Sequence, residues 1–197
     1  KRVNVLAYDA SVGQQFFIKS ILKSALRPWR LKRLSQSVRN FVDYQSFFLQ
    51  RGVRHLKKFV GFDSINTLPN NNHFVFMSSV FESVDYENIF LKIDIEGSEY
   101  RILETLIKYE YRISGLVIEF HDCDLHLDKV KKFVRESRLT LVHIHANNFA
   151  PICQRTKLPL VLELTFSSNG AAECEPTLPN LMDMPNNSQS PEIRITI

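Results

Sequence analysis

Apolar residues in this chain fall in short runs separated by segments of helical spacing. Residues 3–8 (Val-Asn-Val-Leu-Ala-Tyr) predict a strand that ends at Asp9. Phe17, Ile18, Ile21, Leu22 and Ala25 then share one helix face, behind a capping box at Ser11-Val-Gly-Gln14. Phe41, Tyr44, Phe47 and Phe48 lie near helical spacing. Residues 53–60 and 73–77 are candidate strands on either side of a polar loop that runs through 70–72, and 80–86 form a helical turn. Residues 89–95 predict a buried strand. Ser98 is placed to cap a helix carrying Ile102, Leu103, Leu106 and Ile107 on one face. A strand at 116–120, an amphipathic helix marked by Leu127, Val130, Phe133 and Val134, and strands at 139–145 and 160–166 complete the regular pattern. Residues 167–191 are rich in Pro, Asn and Ser and predict a loop or tail. Ile193, Ile195 and Ile197 alternate as a candidate last edge strand.

Strands that alternate with helices of about 10–15 residues imply parallel βαβ units. The expected fold is therefore α/β, a mostly parallel sheet flanked by helices. Parallel strands present their carboxyl ends on one rim, which is where ligands bind in such sheets. Those ends carry Asp9, then Asp94 and Glu96, then Glu119, His121 and Asp122, then His143, His145, Asn147 and Asn148. The convergence points to a ligand cleft more strongly than any one of these residues does.

Composition adds limits. A chain of 197 residues, 44% hydrophobic, suits one globular domain with a sizeable core. No apolar run reaches the ~18 residues a membrane-spanning helix needs, and residues 1–20 lack the order of a signal peptide. The chain opens at Lys1 directly before a strand, as expected of a piece of something longer. Net charge is +4, with much of the excess at 27–39. That run reads as a solvated helix face, and no nucleic-acid partner is expected from it. Three widely spaced cysteines, Cys123, Cys153 and Cys174, form no CxxC pair, so a reducing, cytoplasmic setting is expected.

The candidate chemistry lies in Ile89-Phe-Leu-Lys-Ile-Asp-Ile-Glu-Gly-Ser-Glu99. Asp94 and Glu96, two residues apart, project from one face of an extended chain. Lys92 shares that face as an ion-pair partner within the rim, and Gly97 permits a tight turn into the helix. Glu99 falls in the first turn, where it serves the helix dipole as readily as chemistry. His121 follows a strand beside Asp122, which is placed to orient it; a neutral imidazole suits a base near pH 7. His145 is the alternative base. The acids and histidines offer mixed O and N donors, but without a diagnostic spacing such as HExxH no metal centre is expected.

The blocks Leu91-Lys-Ile-Asp-Ile-Glu-Gly-Ser-Glu99, Val117-Ile-Glu-Phe-His-Asp122, His143-Ile-His-Ala-Asn-Asn148 and Leu162-Glu-Leu-Thr-Phe166, in this order, resemble the second half of the FkbM-type methyltransferases. The resemblance covers roughly residues 1–12 and 80–166. It implies a Rossmann-like class I fold and an O-methyltransferase that moves a methyl group from S-adenosylmethionine to a hydroxyl of a sugar or other small molecule. By that resemblance Asp9 binds the cofactor ribose, Asp94 contacts the cofactor and, with Glu96 and His121, lines the methyl-transfer site. Glu119, His145 and Asn147 then contact the acceptor. The six glycines supply no GxG turn, so the first, cofactor-cradling βα unit is expected to be missing. The expected organisation is an incomplete methyltransferase domain at 1–166 and a polar tail at 167–197. The alternatives are an inactive methyltransferase-like binding module and a metal-dependent hydrolase.

Overall fold

A computed structural model of the chain describes residues 3–26, 31–61, 73–171, 178–181 and 183–195. The chain divides into two compact units, Lys1–Val60 with Ser64–Val75, and Gly61–Asp63 with Phe76–Ile197.

In the first unit, β1 (Val5–Tyr8) pairs in parallel with β2 (Val53–Leu56), from Val5 opposite Val53 to Tyr8 opposite Leu56. Between them in sequence lie α1 (Gln14–Ala25) and α2 (Leu31–Phe48). The aromatic spacing at 41–48 thus belongs to a helix, while residues 27–30 of the basic run lie outside the described residues. The helices meet where the Phe17 ring packs on Phe41 and Tyr44, with centroids 6.0 and 4.8 Å away. No residue described on either helix is buried.

The expected capping box does not form: Gly13 precedes α1 with no side-chain cap. The Ser11 hydroxyl donates instead to Asp9 Oδ1 at 2.6 Å, as do the amides of Ser11 and Val12. An ionised carboxylate two residues away is the stronger acceptor, and it captures the hydroxyl. The candidate strand at 53–60 splits, because β3 (Phe59–Gly61) leaves β2 to pair with β4 (Phe74–Phe76). The polar loop through 70–72 lies outside the described residues.

The second unit contains α3 (Met77–Glu82), β5 (Ile89–Ile93), α4 (Leu103–Tyr109), β6 (Ile113–Phe120), α5 (Cys123–Glu136), β7 (Thr140–Ala146) and β8 (Leu162–Ser167). Its four-stranded sheet has the order β5-β6-β8-β7. β5 and β6 are parallel, but β8 runs antiparallel to both β6 and β7. The expectation of a mostly parallel sheet is therefore corrected to a mixed α/β sheet. The cause lies in the connection 147–161, which contains turns and one isolated bridge but no crossover helix. A strand entered without a crossover returns antiparallel. β5, β6 and β7 still run in one direction, so their carboxyl ends share an edge.

The sheet has two unlike faces. Leu116, Ile118 and Phe120 of β6, with Leu164 and Phe166 of β8, are buried together with Ile102, Leu106, Val130 and Phe133 of the helical segments. Lys92, Val117, Glu119, Glu163, Thr165, His143 and His145 occupy the alternate positions and form a mainly polar row that runs from exposed Lys92 to buried His145. Arg112 fastens α3 to the start of β6, its guanidinium donating to the carbonyls of Phe81, Val84 and Tyr86. It thereby satisfies carbonyls that the end of a helix leaves open.

The C-terminal segment is tied to the polar side. Asp183 and Glu192 bond to His143 and His145 at 2.8 and 3.1 Å. Asn148 donates to the carbonyls of Asn187 and Ser190 and accepts from the Asn187 amide. Ile193 and Ile195 form no strand, so the expected edge strand is absent among the described residues. Side-chain bonds, not a ladder, hold this segment.

Leu116 is fully buried in a central strand, whereas Val38 on α2 is 43% exposed. In urea denaturation, Leu116→Ala is expected to cost the second unit about 2–5 kcal/mol, and Val38→Ala to change stability by less than about 0.5 kcal/mol.

Candidate functional site

β5 delivers Asp94 to the sheet edge, and the chain then turns sharply. Glu96 and Gly97 both take positive φ, 53° and 93°. The second suits glycine; the first is a left-handed conformation that costs a non-glycine residue roughly 1 kcal/mol. A 3-10 turn at Glu99–Arg101 follows before α4 begins. Ser98 makes no side-chain cap. Glu99 acts on the turn instead: its Oε1 accepts the amides of Ile95 at 3.2 Å and Gly97 at 3.1 Å, which pins it.

Glu99 is also 0% exposed. Its Oε1 lies 3.2 Å from Nδ1 of His121, the first residue after β6. Oε1 already accepts two amides and so acts as an acceptor here too, which gives Nδ1 the proton and the donor role. The imidazole thereby turns Nε2 toward the other two acids, 3.5 Å from Glu96 Oε2 and 4.0 Å from Asp94 Oδ1. Glu96 is 85% exposed and Asp94 about half so. Tyr100 fixes the backbone at this point, its hydroxyl donating to the His121 carbonyl. Burial, reinforced by Cys123 and Glu99, pushes the Tyr100 hydroxyl far up, so it stays a protonated donor. Burial also pushes the Cys123 thiol up to about 11, which leaves it a neutral occupant of the core.

Asp122 does not orient His121 as expected. It sits before α5 at φ 50°, and Glu99 takes the orienting position from a neighbouring strand end. Lys92 pairs across the sheet with Glu163 at 2.9 Å rather than with the rim acids. Glu119 accepts from the Asn147 side chain at 3.0 Å, and His145 is buried against Glu192. Glu119 and Asn147 thus reach the rim bonded to each other, and His145 is bonded to the C-terminal segment. The structure brings Asp94, Glu96, Glu99 and His121 together as one cluster.

Asp9 closes β1 in the first unit. Burial raises its carboxyl, but the Ser11 hydroxyl and the amides of Val12 and Ser11 outweigh burial and hold it below the usual range. These three bonds converge on Oδ1. His55 donates from Nε2 to the Asp9 carbonyl and accepts from Tyr44 at Nδ1, both at 2.9 Å, which fixes the strand end.

No family model matches the chain, and no curated protein or solved structure is significantly similar to it. The site therefore rests on its own geometry.

Glu99 is the residue that sequence patterning left between two roles. The signal present was its position, an acid two residues after a turn glycine. Its burial depends on packing against β6, which spacing does not show.

Glu99→Ala leaves the Ile95 and Gly97 amides and the imidazole without their acceptor. It is expected to cost about 2–4 kcal/mol in chemical denaturation. Asp94→Ala, at an exposed position, is expected to change stability by under about 1 kcal/mol. For Asp9, a depressed folded-state pKa gives stability that is present above the ordinary value of 3.8 and lost as pH falls through the folded value. The stability gap between the wild-type chain and Asp9→Ala, about 0.5–1 kcal/mol at pH 7 for a partly exposed cap, should therefore close in acid. Thermal melts from pH 7 to pH 2.5 measure it.

Proposed function

We propose that this chain carries the acceptor side of an S-adenosylmethionine-dependent O-methyltransferase. The observation that supports it most is the polarised imidazole. His121 is held at Nδ1 by a buried carboxylate and offers Nε2 beside two solvent-facing acids. A base needs one ring nitrogen fixed and the other open toward the acceptor, and this arrangement fixes Nδ1 and leaves Nε2 on the exposed side. Two acids at strand-to-helix turns take positive φ here: Glu96, 3.5 Å from Nε2, and Asp122, next to His121 in sequence. Backbone strain of this kind concentrates at functional sites. The order of blocks that resembles the FkbM-type family supplies the reaction class.

S-Adenosylmethionine, when bound, supplies an electrophilic methyl carbon. The chain's own residues do the rest. Asp94 and Glu96 accept hydrogen bonds from the acceptor and orient it. His121 Nε2 removes the proton of the hydroxyl as its oxygen attacks, and the imidazolium is stabilised by Glu99 at Nδ1. Asp9 fits a ribose diol in one respect: its bonds use Oδ1, which leaves Oδ2 for a hydroxyl donor. The fit is partial, because these 197 residues contain no GxG turn to bring the backbone close to the cofactor. The acceptor class is a hydroxyl on a sugar or other small molecule.

Isothermal titration of the protein with S-adenosylhomocysteine tests the cofactor assignment. One binding site is expected, with Kd of about 1–100 µM. It should be weakened about tenfold by Asp9→Ala and left unchanged by His121→Gln, since the base faces the acceptor. No binding, or binding indifferent to Asp9→Ala, would overturn it.

A further inference from the structure

We infer that Asp94, Glu99 and His121 form a site for a divalent first-row cation. Each offers one donor atom, and the three atoms lie within 4.8 Å of one another. Two atoms that bind one such ion at about 2.1 Å and at right angles stand roughly 3 Å apart, and wider angles take the separation beyond 4 Å. Nδ1 is committed to Glu99 Oε1, so Nε2 is the nitrogen open to an ion, and it stands 4.0 Å from Asp94 Oδ1, within that span.

A second, independent observation comes from Glu99. Its carboxylate has no exposed surface. Oε1 is saturated by two amides and the imidazole. Oε2 is buried and has no hydrogen-bond partner among the described residues. An empty oxygen on a buried carboxylate is costly, and an ion is one of the few groups that satisfies it. Charge points the same way. Asp94, Glu96 and Glu99 bring three carboxylates to one imidazole. Lys92, two residues before Asp94, is engaged with Glu163. One nitrogen and two carboxylates suit Mn2+, Fe2+ or Zn2+ better than an all-oxygen Mg2+ site. Open positions on the ion would face the exposed Asp94 and Glu96 side, where a hydroxyl or water can join.

This cation site does not depend on methyl transfer. In a methyltransferase it would take over the demand placed on His121, because a hydroxyl bound to a divalent ion is more acidic. In a hydrolase it would activate water. The sequence alone gave no metal-ligand spacing; the three donors meet only because the β5–α4 turn folds back on the end of β6.

The test is Mn2+ titration of the chelator-treated chain at pH 7, with free ion followed by electron paramagnetic resonance. No cofactor or acceptor is needed, so its outcome is separate from that of the S-adenosylhomocysteine titration. One saturable Mn2+ per chain is expected, weakened tenfold or more by both Asp94→Asn and His121→Gln. These two side chains are at least partly exposed, and circular dichroism confirms that the variants fold; Glu99 is left intact because it also pins the turn. Absence of saturable binding, or binding unchanged in both folded variants, would overturn the site.

Discussion

A carboxylate with no exposed surface has to be satisfied from inside the protein, and Glu99 is satisfied on one oxygen only. That oxygen joins two things that are separate in sequence: the turn after β5, through the amides of Ile95 and Gly97, and the imidazole after β6. The turn in its left-handed form is what aims Asp94 and Glu96 at His121. The buried acceptor and the bond from the Ser98 amide to the Ile95 carbonyl together hold Glu96 at positive φ, with its carboxylate beside Nε2. Positioning and chemistry here depend on the same atom.

The two faces of the four-stranded sheet explain why the cluster is possible. One face is a packed hydrocarbon layer, so the strands are rigid and their ends fixed. The other is a polar row whose members are matched among themselves: Lys92 with Glu163, Glu119 with Asn147, His143 and His145 with the acids of the C-terminal segment. A polar face partly covered by chain must pair its groups internally, since buried polar atoms left open are costly. Most of the rim is consumed in that way. What distinguishes the Asp94, Glu96 and His121 group is that its imidazole keeps one nitrogen turned to exposed acids.

Much of this was legible in the sequence, and the losses have physical causes. Apolar spacing located β5, β6, α5 and β7 within a few residues, because a two-faced sheet and one-faced helices impose their periods directly. The direction of β8 was not legible. Alternation at 160–166 is the same in either direction, and only the helix-free excursion before it sets the antiparallel return. Convergence of Asp94, Glu96 and His121 followed from topology and needed only that β5 and β6 run parallel, which they do. Ser11 and Ser98 do not act as caps. In each case a nearby carboxylate, Asp9 or Glu99, organises the turn before the helix by taking amides of its own, and in the first case it binds the serine hydroxyl as well. Glu99 as the hub was hidden because its burial is a property of packing against another strand.

The central claim is that Glu99 fixes the tautomer of His121. Nitrogen-15 NMR of the histidine rings in the chelator-treated protein, near neutral pH, tests it most directly. The account predicts that His121 is the Nδ1–H tautomer, with Nδ1 protonated and bonded and Nε2 carrying the lone pair. Glu99→Gln, if folded, should release that preference. An Nε2–H tautomer in the unaltered chain, or a ring that averages both forms as free imidazole does, would contradict the account.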